Sequence, residues 1–152
     1  MKSQSRLSRF APLILIAGDL LVLLLFIFAG QREHDLTDPV HPILGVLLTT
    51  GEFAVAWLVA GWLLGALPKM GGEPEDRPYG VRSLLGRSLN AWLVAAPQGV
   101  LIRAFFLKRA VIPTVFLGVT LGLGGMFLLG WRLVFALAWG RVVQQRIRET
   151  NG

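Results

Sequence analysis

Four ionisable side chains stand inside otherwise apolar stretches of this chain: Asp19, Glu52, Arg103 and Arg132. A carboxylate held away from water does one of two things. It takes up and releases a proton along a transport path, or it pairs with a cation and pins one segment to another. One charge at mid-bilayer costs at least about 2.5–3.5 kcal/mol, so each of the four must face protein or water and pair where geometry permits. Asn90 and Gln98 add two amides able to hydrogen-bond between helices on either reading.

The segments that hold these groups follow from composition. Of 152 residues, 54% are hydrophobic and 16% charged, against about a quarter charged in soluble domains. A soluble domain of this size has too little interior to hide that apolar surface, so lipid is its solvent. Residues 10–29, 42–67, 87–107 and 111–139 form four apolar stretches, and about 20 helical residues cross a hydrocarbon layer of roughly 30 Å. The expected fold is all-α, a single membrane domain over residues 1–152 built as a four-transmembrane-helix bundle. Residues 68–86 form a polar loop and 140–152 a tail. The second and fourth stretches exceed the minimum length, which predicts tilt or extension beyond the bilayer. The first has the basic start of a signal peptide. It nevertheless contains Asp19 and ends in Ile27-Phe28-Ala29, with no small-residue cleavage pattern, and reads as a retained helix.

The loop sequence GGEPEDRPYG has no core of its own, and its acids Glu73, Glu75 and Asp76 read as solvated. Lys108-Arg109-Ala110 is so short a connection that the third and fourth spans form an antiparallel hairpin.

The formal charge of +6 would suggest nucleic acid in a soluble protein. Here the basic residues flank apolar spans and report topology instead, so no nucleic-acid partner is expected. With the N-terminus inside, the inner segments carry nine basic residues: Lys2, Arg6, Arg9, Lys69, Arg77, Arg82, Arg141, Arg146 and Arg148. The outer loops carry three: Arg32, Lys108 and Arg109. That bias predicts both termini in the cytoplasm. In the tail, Arg141, Gln145 and Arg148 share a helical face that reads as a cytoplasmic anchor.

Depth then decides which charges can pair. At the helical rise, Asp19 lies roughly 13 Å and Arg132 roughly 10 Å from the inner ends of their spans. Glu52 lies about 15 Å and Arg103 about 6 Å from the outer ends. The expected pairs are Asp19–Arg132 in the inner half and Glu52–Arg103 in the outer half.

Gly61-x-x-x-Gly65 and Gly118-x-x-x-Gly122 are patterns that let helix backbones approach closely, with Gly124 and Gly125 extending the second strip. Pro97 should kink the third helix because it has no N–H for the Leu93 carbonyl. The string AWLVA occurs at residues 56–60 and 91–95, in spans of opposite direction, as inverted repeats do, although five residues from so narrow an alphabet recur easily. Trp62, Trp131 and Trp139 sit where interfacial rings are expected. His34 and His41 flank the first outer loop and make no haem or metal site, and no cofactor is expected. GLGGMFLLG follows no strand and is not a phosphate loop. The chain has no cysteine, which excludes disulfide and thiolate chemistry. No nucleophile–base arrangement is present, and no enzyme is expected.

The stretches GDLLVLLLFIFAGQREHD, AWLVAGWLLG, Trp92 through Arg103 and FLLGWR resemble the bacterial and archaeal family called domain of unknown function 3054. The resemblance runs from Ile16 to Val134. Its most specific pieces are the Asp19 helix ending in Gly30, Arg32 and His34, and the Gly130-Trp131-Arg132 run. It implies a small four-helix protein of the bacterial or archaeal cytoplasmic membrane and brings no activity. Where the family begins helix two with an apolar, proline-containing run, this chain has Thr50-Gly51-Glu52-Phe53. That departure favours Asp19, Arg103 and Arg132 over Glu52 as family-wide residues.

Two functional expectations follow. The first is a non-enzymatic accessory or scaffold protein with structural intramembrane ion pairs, whose partners are the lipid bilayer and a second copy or another membrane protein. This one is preferred, because each carboxylate has a cation in reach. The alternative is a small oligomeric proton-coupled transporter or channel using Asp19, comparable to the small multidrug-resistance exporters. Those exporters lack both the charge bias and the intramembrane arginines.

Overall fold

The computed structural model describes residues 6–33, 41–68, 80–108 and 114–151, with side chains described over 10–32, 41–68, 80–108 and 114–141. His34, Lys69, Glu73, Glu75, Asp76, Arg77 and Arg109 lie outside the described residues, as do the side chains of Gln145, Arg146 and Arg148.

The described residues are all helical between their connections. Helix α1 is Arg6–Glu33, α2 is Pro42–Leu63 and α3 is Val81–Phe106. The fourth segment is α4 (Thr114–Val119), a π-helical stretch (Thr120–Gly124) and α5 (Gly125–Asn151). Four helices are long and apolar enough to cross a membrane: Phe10–Arg32, Pro42–Leu63, Val81–Phe106 and Thr114–Arg141. The chain is thus a multi-pass membrane protein with a four-helix architecture.

Helix ends depart from the apolar stretches because backbone hydrogen bonding continues past the residues that lipid requires. Helix α3 begins at Val81, six residues before its apolar run. Helix α2 does the reverse. Pro42 opens it, where a missing N–H costs nothing, and it stops at Leu63. There Gly65 takes φ +67, the Ala66 N–H donates to the Gly61 carbonyl (2.8 Å) and the Gly65 N–H to the Trp62 carbonyl (3.3 Å). This is the Schellman closure, which favours glycine at the left-handed position. The Gly61/Gly65 spacing is therefore a helix stop, not a packing face: a Cβ on Gly61 would meet only Leu67 of its own turn.

Gly118 and Gly122 also do not seat a neighbouring helix, since nothing lies within 4 Å of a Cβ at either. Close approach is made instead by single glycines that receive an aromatic ring. A Cβ on Gly18 would fall 2.1 Å from the Trp131 ring, one on Gly99 2.5 Å from Phe53, and ones on Gly124 and Gly125 2.8 Å from Trp92.

Both AWLVA copies turn Ala, Trp and Ala inward: Ala56, Trp57 and Ala60 are buried, as are Ala91, Trp92 and Ala95. Their indoles meet edge to face, centroids 6.1 Å apart. Small alanines around two large rings let α2 and α3 pack closely. The π-helical stretch explains why the fourth span is not one regular helix. Its wide turn presents the Leu121 carbonyl to Trp92 Nε1 at 3.1 Å and lays Gly124 and Gly125 on that indole. Pro97 is carried inside α3, which stays helical through it.

Candidate functional site

The centre of the bundle is polar. Asp19 on α1 and Arg132 on α5 are both 0% exposed. Arg132 Nε donates to Asp19 Oδ1 at 3.0 Å and Nη2 to Oδ2 at 2.6 Å, the two-point fork that fits guanidinium to carboxylate. Trp57 Nε1 donates to Asp19 Oδ2 at 3.2 Å. The third guanidinium nitrogen, Nη1, donates to the Ala66 carbonyl at 2.7 Å and to Ser88 Oγ at 2.8 Å. The guanidinium carbon also lies 4.8 Å from the centroid of the Trp57 ring, within cation–π range.

One cation therefore touches every span: α1 through Asp19, α2 through Trp57 and the turn at Ala66, α3 through Ser88, and α5 by its own backbone. All three of its nitrogens have acceptors and both oxygens of Asp19 have donors. A buried pair satisfied in this way costs little to keep, whereas removing one partner strands a charge and costs about 3–5 kcal/mol.

Local sequence explains each placement. The Gly65 turn aims the Ala66 carbonyl back at the bundle. Ser88 sits one helical turn after Leu84 and gives its hydroxyl proton to that carbonyl, which leaves its oxygen free to accept from Arg132. Gly18, beside Asp19, admits the Trp131 ring, beside Arg132, and Trp131 Nε1 donates to the Leu15 carbonyl at 3.2 Å. The two helices are in register at two consecutive positions.

A second polar cluster lies where α1 ends and α2 begins. Arg103 Nη1 is 3.6 Å from Glu52 Oε2, with the two side chains 20% and 13% exposed. Arg103 also donates to Thr49 Oγ1, which accepts from Gln31 Nε2 at 2.9 Å as well. The Thr49 hydroxyl donates to the Gly45 carbonyl at 2.9 Å. This pair is longer and less buried than the first, and its Glu52 Oε2 has no hydrogen-bond donor among the described residues.

The structure brings Asp19 to Arg132 and Glu52 to Arg103. It does not bring Asn90 or Gln98 to any neighbouring helix: both are exposed on α3. Sequence reasoning missed Trp57, Ser88 and Ala66 as parts of the central site. Trp57 carried a usable signal, because a tryptophan in mid-span, away from the interfaces, needs a partner for its N–H. Ser88 and the Ala66 carbonyl carried none that distinguishes them from other small residues.

No curated protein and no solved structure matches the chain. The Gly18-Asp19 and Trp131-Arg132 elements that build the central site both lie in the part of the chain, residues 16–135, that a protein-family comparison matches. On that match the chain belongs to the family described as protein of unknown function (DUF3054).

Proposed function

We propose that this is a non-enzymatic accessory or scaffold protein of the bacterial or archaeal cytoplasmic membrane, in which the Asp19–Arg132 pair locks four helices into one arrangement. The single observation that carries the reading is that both residues are 0% exposed with every charged atom partnered inside the protein. A carboxylate that exchanged protons or substrate would need a face open to the path, and Asp19 gives its oxygens to Arg132 and Trp57. Both termini lie in the cytoplasm in this reading, on the strength of nine inner against three outer basic residues.

The test is thermal stability in mild detergent of Asp19→Leu, Arg132→Met and the two combined. Each single change strands a charge and should cost about 3–5 kcal/mol, whereas the combination strands none and should recover most of that loss. The reading fails if Asp19→Asn is as stable as the parent, since the carboxylate would then be kept for something other than assembly. Uptake assays in proteoliposomes would be the next step in that event. Orientation is checked separately with Glu75→Cys, which should react with a membrane-impermeant maleimide in inverted vesicles and not in intact cells.

A further inference from the structure

The outer surface of the bundle is not uniform. Among the described residues, the well-exposed positions of α1, α2 and the fourth span between their ends are all apolar, aromatic or glycine. Helix α3 alone exposes polar ones: Arg87, Asn90 and Gln98. Arg87 lies near one end, where a long side chain reaches the headgroups. The amides of Asn90 and Gln98 are carried on shorter side chains. Helix α3 has 26 residues, about 39 Å at the helical rise. On its apolar run, residues 87–107, Asn90 lies about 5 Å and Gln98 about 17 Å from the first residue, so Gln98 stands near the middle of a hydrocarbon layer of roughly 30 Å and Asn90 one turn inside it.

These positions form a ridge. Asn90, Val94 and Gln98 are spaced four residues apart, so each step turns about 40° and the three stand in one i±4 row. Val94 is 42% exposed, with Leu93 at 52% and Leu101 at 58% beside it. Pro97, next to Gln98, has no N–H to give the Leu93 carbonyl one turn earlier. Lipid tails satisfy neither amide nor carbonyl, and an unsatisfied group in hydrocarbon costs several kcal/mol.

We propose that the Asn90–Val94–Gln98 ridge is the contact between two copies of this chain in the membrane. The complement of a primary amide, which donates and accepts, is another primary amide. A partner must offer such groups at the same spacing and the same depths, and a second copy inserted in the same orientation does so by construction. Across a twofold axis Asn90 meets its counterpart and Gln98 meets its own, an isologous contact in which both amides are satisfied at once. Hydrogen bonds of this kind between spans contribute modestly in each pair, so the dimer is reversible and its affinity depends on both positions.

The absence of native cysteine makes the test direct. Val94→Cys and, as a control on the exposed face of α2, Leu47→Cys are treated in native membranes with a short thiol-to-thiol cross-linker. The expected result is a product of twice the chain mass from Val94→Cys and little from Leu47→Cys. Adding Asn90→Leu and Gln98→Leu to Val94→Cys should lower that product at least about tenfold, while the melting temperature of the monomer is kept. Equal yields at positions 94 and 47, an undiminished product in the leucine variant, or a product of a different mass that marks an unrelated partner would each overturn the proposal. If the leucine variant does not insert, the comparison of positions 94 and 47 decides alone.

Discussion

Trp131 lies across Gly18: a Cβ there would fall 2.1 Å from the indole, and Trp131 Nε1 donates to the Leu15 carbonyl at 3.2 Å. The next residue on each helix forms the Asp19–Arg132 fork. Backbone contact and ion pair are thus one unit. The notch sets how close α1 and α5 come, and that separation sets whether the guanidinium reaches both carboxylate oxygens.

Gly18→Ala should therefore destabilise the protein by about 1–3 kcal/mol through overpacking, and more where the displaced helix loosens the ion pair. Gly118→Ala, whose Cβ would meet nothing within 4 Å, should cost nothing and can raise stability by up to about 1 kcal/mol, since alanine is the better helix former. Melting curves of the two variants in the same detergent compare them directly, and similar losses would contradict the notch.

Trp57 combines two roles that substitutions separate. Trp57→Phe keeps an aromatic face beneath Arg132 and removes the N–H that Asp19 accepts, at a cost of about 1–3 kcal/mol because the acceptor is a buried charge. Trp57→Leu also removes the cation–π contact and should cost more. Equal stability of the two variants would show that the ring face contributes nothing.

The two ion pairs should respond very differently. Glu52 and Arg103 are less completely buried and 3.6 Å apart, so Glu52→Gln, which keeps a polar amide beside Arg103, should cost less than removal of a fully buried partner. Arg132→Gln leaves Asp19 buried without its cation and should cost about 3–5 kcal/mol. Chemical or thermal unfolding of both variants ranks them, and a larger loss at Glu52 would reverse the assignment of the central site.

Two turn positions make opposite predictions. Lys108 follows α3 with φ 51, a left-handed conformation that costs a residue with a Cβ about 1–2 kcal/mol. Lys108→Gly should raise stability by up to about 1 kcal/mol, offset by the added freedom of the unfolded chain. Gly65→Ala should lower it by a similar amount or more, because the Ala66 carbonyl that binds Arg132 hangs on that turn. Melting temperatures that move in the same direction would refute the pair of predictions.

By itself the sequence determined the four helices, since a run of about 20 apolar residues has one solution in lipid. It also pointed to which charges can meet: Asp19 and Arg132 agree in depth to within about 3 Å, and the long Arg103 side chain can close the larger gap to Glu52. Only the tertiary structure decided how the helices touch. The regular spacings Gly61/Gly65 and Gly118/Gly122 mark a turn and an open surface. The working contacts are single glycines filled by a ring from another helix: Gly18 by Trp131, Gly99 by Phe53, Gly125 by Trp92. The glycine shows only that a notch exists, and the ring that fills it belongs to a distant part of the chain. The same holds at the centre, where Ser88 and the Ala66 carbonyl become partners of Arg132 only once the Gly65 turn and the packing of α3 bring them within 3 Å.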